Sequence, residues 1–154
     1  MKKHLKRLFL LETIMVIMSI SIVAQSGNSD TEYRKDFSAE IQDNKLTESM
    51  TRGSEIYTGF CMQCHLPDGK GTPKIYPPLA GSNWLVDKRK ESIHSIKYGL
   101  NGPIEVNGEP YNSAMTSLGL EDEEIADVMN YIMNSWGNTQ NIIVTPEEVA
   151  MIKK

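Results

Sequence analysis

Cysteine is scarce in this chain, with two in 154 residues, at Cys61 and Cys64. A structural disulfide between them would close a very small loop and add little stability. Histidine is scarce as well. Beyond the N-terminal segment the imidazoles are His65 and His94, 29 positions apart, so a structural zinc site lacks a compact four-ligand set. No βαβ pattern surrounds the cysteines, which argues against a thioredoxin-like redox pair. Internal repeats and low-complexity tracts are absent. Basic residues are outnumbered, 16 Lys+Arg against 20 Asp+Glu. The first 24 residues hold four of the basic residues and one of the acidic ones, so the remainder carries 12 basic and 19 acidic residues, a net of −7. Such a surface argues against nucleic-acid or anionic-membrane binding. Any steering is toward positively charged partner surfaces, and salt weakens it. The basic run Lys88-Arg89-Lys90 reads as a solvated helix face.

What the chain does have is Cys61-Met62-Gln63-Cys64-His65. Cys-x-x-Cys-His is the attachment sequence of a c-type haem. Two thiols three positions apart lie on roughly one face of a helical turn, where they can form thioethers with both vinyl groups of one porphyrin. The next residue, His65, is then carried under the iron as its proximal ligand. One haem c, covalently bound, is expected per chain.

The N-terminus agrees with that chemistry. Lys2, Lys3, Lys6 and Arg7 precede an apolar run from Leu8 to Ala24, and Ile22-Val23-Ala24 offers a small residue for cleavage before Gln25. This is the pattern of a secretory signal peptide. The alternative is an uncleaved anchor, for which the run is short and Glu12 costly. Either way the folded part lies outside the cytoplasm, in the periplasm.

The chain divides into a signal segment 1–24, a polar linker 25–46, one haem domain 47–137 and a C-terminal tail 138–154. The tail holds one short helix, announced by Thr145-Pro146-Glu147-Glu148. Within the domain the pattern predicts helices over roughly 48–60, 87–98 and 121–135. Gly53 inside the first implies close approach of another helix. In the third, Ile125, Val128, Met129, Ile132, Met133 and Trp136 form one apolar stripe, and its four opening acids suit the helix dipole. Asn107-Gly108 marks a small hairpin between the second and third helices. The expected fold is all-α, three or more helices around one haem with at most this hairpin.

The sixth iron ligand decides what the haem can do. Met115 lies in the non-periodic stretch 111–117, fifty positions after His65, far enough for a loop to wrap to the distal side. Met62 sits inside the haem motif, while Met129 and Met133 belong to the apolar stripe, where methionine usually packs. His94 is the competitor and reads as a surface residue.

The run Tyr76-Pro77-Pro78-Leu79-Ala80-Gly81-Ser82-Asn83-Trp84, with Tyr98-Gly99-Leu100-Asn101-Gly102-Pro103, Ala114-Met115 and Asn134-Ser135-Trp136-Gly137-Asn138, resembles the class I cytochromes c over about residues 50–137. Similar domains serve as cytochrome subunits of membrane-bound sugar and alcohol dehydrogenases, or are fused to copper nitrite reductases. The resemblance implies a cytochrome c fold, Gly53 packed near Tyr131, and a Pro77 carbonyl that accepts a hydrogen bond from the His65 ring. It also implies one-electron transfer rather than enzymatic activity, with a dehydrogenase, nitrite reductase or terminal oxidase as redox partner. A membrane association is expected only if the N-terminal segment is uncleaved. Glu121 departs from the pattern, since such domains often place Ser or Thr there as helix cap. The reading from another class is a sensor or catalytic haem protein with an open distal site, and a third is a fixed subunit of a dehydrogenase complex.

Overall fold

A computed structural model of the chain describes residues 29–140 and 142–154. The signal segment 1–24 lies outside the described residues. The chain forms two units, 1–43 and 44–154. In the first, the described residues belong to helix α1 (Ser29–Ile56), and those whose side chains are described are exposed. No Gly or Pro occurs between Asn28 and Arg52, and Glu, Lys, Gln, Ala and Leu favour helix. The helix therefore starts well before residue 48, inside the segment expected to be a linker. Among the described residues no helix is long and apolar enough to cross a membrane.

The second unit holds everything else. α1 passes into a π-helical turn, Tyr57–Cys61, and then α2 (Met62–His65). A short helix that was not expected, α3 (Asn83–Asp87), is followed after Lys88 by α4 (Arg89–Tyr98), which is the helix expected over roughly 87–98 and is stopped by Gly99 at φ 84°. A two-stranded antiparallel sheet follows, β1 (Ile104–Val106) and β2 (Glu109–Tyr111), with Val106 opposite Glu109. Asn107 and Gly108 both have positive φ, 53° and 81°, as a tight hairpin turn of mirror-image type demands. The last two helices are α5 (Asp122–Ile132) and α6 (Pro146–Met151). The protein is thus mostly helical, as expected.

α5 is the centre of the core. Ile125, Val128, Met129 and Met133 are at most 1% exposed. Gly53 lies where α1 crosses α5, and a Cβ there would collide with the Asp127 carbonyl and the Tyr131 side chain. Ser49 donates to Asp127 Oδ1 at 2.6 Å, and Arg52 holds both oxygens of the same carboxylate. The Glu124 carboxylate reaches back to the Glu121 N–H at 2.9 Å, so the Glu121 departure leaves α5 with a working N-terminal bond.

Two expectations are corrected here. Trp136 lies beyond the end of α5, with φ 54°, and not on its stripe; it covers Gly69 and packs against Tyr57 at 5.0 Å between ring centres. Arg89 is not solvated: it makes a bidentate pair with Glu148 and also donates to the Ile142 and Ile143 carbonyls. The C-terminal tail holds its expected short helix and in addition packs against the domain. Val144 and Val149 are core residues, and Asn130 grips both backbone groups of Val144. Val144 and Val149 join the same buried cluster as Ile93 and Ile96 of α4 and the apolar stripe of α5.

Candidate functional site

The π turn and α2 bring Cys61 and Cys64 to one side of a cleft. π-helical turns occur often at functional sites. The thiols are not joined to each other. Burial, and then the neighbouring Cys64, push the Cys61 thiol up to about 11, so it is protonated and unlike the low-pKa thiols of redox enzymes.

His65 ends α2, and the chain reverses immediately after it. Leu66 has φ 64° and ψ 160°, a conformation nearly reserved for glycine. It is held there by bonds from its N–H to Met62 O, from Gly69 N–H to its carbonyl, and from the Tyr57 hydroxyl to that carbonyl at 2.6 Å. Gly71 N–H then bonds the His65 carbonyl, and a side chain at Gly71 would strike the Tyr76 and Pro77 carbonyls. This packed loop delivers the Pro77 carbonyl to 3.0 Å from His65 Nδ1. A carbonyl only accepts, so Nδ1 carries the proton and Nε2 keeps its lone pair. Burial lowers the His65 pKa, partly opposed by that bond, which favours the neutral ring.

Met115 is half-buried in the loop between β2 and α5. Its backbone is pinned by a reciprocal pair with Leu100, 2.8 and 2.9 Å. Two adjoining clefts share Cys61, His65, Pro77 and Met115 in their walls, and Cys64 lines the second. The residues singled out in the sequence for the site therefore lie in the walls of these two clefts. His94 lines neither cleft; it is half-buried against the Tyr98 ring in a surface groove with Glu148 and Met151.

The rest of the wall was not singled out in the sequence. Trp84, Ser92, Ser95, Ile104 and Val106 line the first, more apolar cleft. Ser92 and Ser95 are three apart on α4 and small, and spacing alone could have flagged them as a face that leaves room for a flat group. Their hydroxyls bond back to the Lys88 and Glu91 carbonyls, so they present little polarity to the cleft. An apolar wall, two unpaired thiols at its edge, an imidazole with one nitrogen committed to a carbonyl, and a thioether on a second loop fit a covalently bound haem.

The comparisons agree. The cytochrome c family model matches residues 50–136. Cytochrome c-552 of Thermus thermophilus is 40% identical over 117 residues, covering 70% of this chain and 78% of that protein. The cytochrome c subunit of a quinone alcohol dehydrogenase from Gluconacetobacter polyoxogenes is 36% identical over 104 residues, 66% of this chain but 22% of the subunit. The CcoP subunit of the cbb3-type cytochrome c oxidase of Rhodobacter capsulatus is 29% identical over 107 residues, 66% of this chain and 36% of the subunit. The chain belongs to the cytochrome c family and carries a covalently bound haem c.

Proposed function

We propose that this cytochrome is a periplasmic one-electron carrier in which His65 and Met115 are the axial ligands of the haem iron. The observation that carries the reading is that Cys61, His65 and Met115 line both adjoining clefts, with Cys64 in the wall of the second. Cys61 and Cys64 are the thioether attachment points. His65, neutral and turned by the Pro77 carbonyl, offers Nε2; a hydrogen bond of this kind also raises the basicity of a ligating imidazole. Met115 offers its thioether sulfur from a loop fastened to Leu100. Bound haem supplies an iron that takes up and releases one electron. With both axial positions filled, the chain has no open site for a substrate, and substrate chemistry belongs to a partner. The apolar wall formed by Leu85, Ile96, Val106 and Val128 excludes water, and with a thioether ligand it favours the reduced state.

Relatives named as subunits of a quinone alcohol dehydrogenase and of a cbb3-type oxidase support partners of the dehydrogenase or terminal-oxidase class. The basic start and apolar run before Gln25 support export, and N-terminal sequencing of protein from its host should begin at or near Gln25. An intact Met1 in a membrane fraction would replace the soluble carrier with an anchored one.

The ligand assignment is tested with carbon monoxide. Reduced wild-type protein should bind it slowly or not at all, and Met115→Ala should bind it readily. The same variant should have a much lower potential, since axial ligands help set haem potentials over about 0.8 V. Rapid binding by the wild type would sink the assignment and favour a sensor or a catalytic haem protein.

A further inference from the structure

We infer that Lys97 is a positioning residue for Met115: with Tyr98 it ties the loop that carries the sixth ligand to the C-terminal segment, and so sets how readily that ligand leaves the iron. The inference rests on the His65/Met115 reading above.

The end of α4 touches the Met115 loop repeatedly. The Lys97 carbonyl accepts from Ser117 Oγ at 2.8 Å. Leu100 exchanges both backbone bonds with Met115. Between them, Gly99 has φ 84°, and a Cβ there would lie 2.8 Å from the Met115 carbonyl oxygen. The loop therefore rests directly on residues 97–100.

Two of these residues, Lys97 and Tyr98, are fastened on the other side. Lys97 Nζ donates to the Val149 carbonyl at 2.9 Å and pairs with Asp122 Oδ1 at 2.8 Å, with its side chain 17% exposed. It thus bridges the first turn of α5 and helix α6. The Tyr98 hydroxyl donates to the Ile152 carbonyl at 3.0 Å. A lysine in the last turn of a helix is ordinarily explained by the helix dipole. Here the ammonium instead spends its donors on two other elements.

A loop held only by its own two backbone bonds opens at small cost, and ligand-bearing loops belong to the least stable parts of a fold. Seated on residues 97–100, this loop can lift only by stretching its bonds to them or by shifting the end of α4. A shift of α4 breaks bonds to α5 and α6. The C-terminal segment, which lines neither cleft, thereby acts on the iron ligand through Lys97 and Tyr98.

The test follows imidazole binding to the ferric holoprotein by stopped flow. If Met115 must leave first, the rate levels off at high imidazole, and the plateau is the loop-opening rate. Lys97→Met should raise the plateau about tenfold, the scale expected when a charge-assisted hydrogen bond is lost from one of two states. Tyr98→Phe removes one hydroxyl, leaves the packing intact, and should raise the plateau a few-fold. Lys97→Arg, which keeps a cation within reach of Asp122, should return it toward the wild-type value. Amide exchange at Met115 and Leu100 should speed up in parallel. Ser49→Ala weakens the fold at the α1–α5 crossing and should leave the plateau unchanged. An unchanged plateau in both Lys97→Met and Tyr98→Phe would overturn the inference, as would an equal rise in Ser49→Ala. A wild-type rate that climbs linearly with imidazole, unaltered by Met115→Ala, would instead overturn the ligand reading itself.

Discussion

Asn130→Ala should cost far more than the loss of one buried amide suggests. Asn130 is 2% exposed on α5, and its side chain makes three bonds. Nδ2 donates to Ser49 Oγ at 2.8 Å and to the Val144 carbonyl at 2.9 Å, and Oδ1 accepts from the Val144 N–H at 2.7 Å. Ser49 keeps its own acceptor, Asp127, so its hydroxyl proton is not orphaned. Val144 is 2% exposed and loses partners for both backbone groups at once. Each buried unsatisfied group costs about 1–3 kcal/mol, so the pair costs about 4 kcal/mol. Alanine is the better helix former by about 0.6 kcal/mol, which offsets a little. The net expectation is a loss of about 3 kcal/mol, by the same two considerations. The measurement is urea unfolding of the holoprotein, followed by far-ultraviolet circular dichroism and by haem absorbance. Coincident curves keep the two-state treatment valid. Asn134→Ala is the control: it also sits next to α5 and bonds the Asn130 carbonyl and the Gln140 N–H, but it is half-buried and water can replace it. A loss below about 1 kcal/mol for Asn130→Ala, or one no larger than for Asn134→Ala, would refute the reasoning.

Two further outcomes are expected. Cys61→Ala with Cys64→Ala should abolish haem that survives acid–acetone extraction and leave the domain largely unfolded; a folded, haem-free double variant would contradict the covalent role of the pair. The Arg89 guanidinium holds the Glu148 carboxyl below the usual carboxylate range, with burial opposing it in part. Its stabilising contribution is then complete above the unfolded-state value of about 4.3 and fades as pH falls through the lower folded-state value. Wild type should therefore exceed Glu148→Gln in stability at neutral pH and approach it in acid, and a gap independent of pH would count against this ion pair.

The sequence made α5 easy to read because its apolar residues recur at the helical period. The haem motif was equally plain because it is contiguous. Met115 could be singled out because the other methionines sit on an apolar stripe, near the domain ends or inside the motif. What stayed hidden depends on partners remote along the chain. Asp127 and Asn130 look like the polar face of an amphipathic helix, yet both are buried, satisfied by Ser49, Arg52 and Val144. Arg89 sits in a basic run and gives no local sign of Glu148 fifty-nine residues on. Val144 and Val149 fall in a stretch too short to show any period. Trp136 has helical spacing from Ile125, but the backbone leaves the helix at Met133 and Trp136 adopts a positive φ that spacing does not encode.

One amide joins the two sides of this domain in the order of synthesis. Asn130 meets Ser49, near the start of the domain, and Val144, near its end. A chain emerging N-terminus first can coil α1 and α2 at once, but it cannot seal the core until Val144 and Val149 are available. A single buried amide thus couples α1 to the C-terminal segment, so that two stretches remote along the chain are held, or released, together.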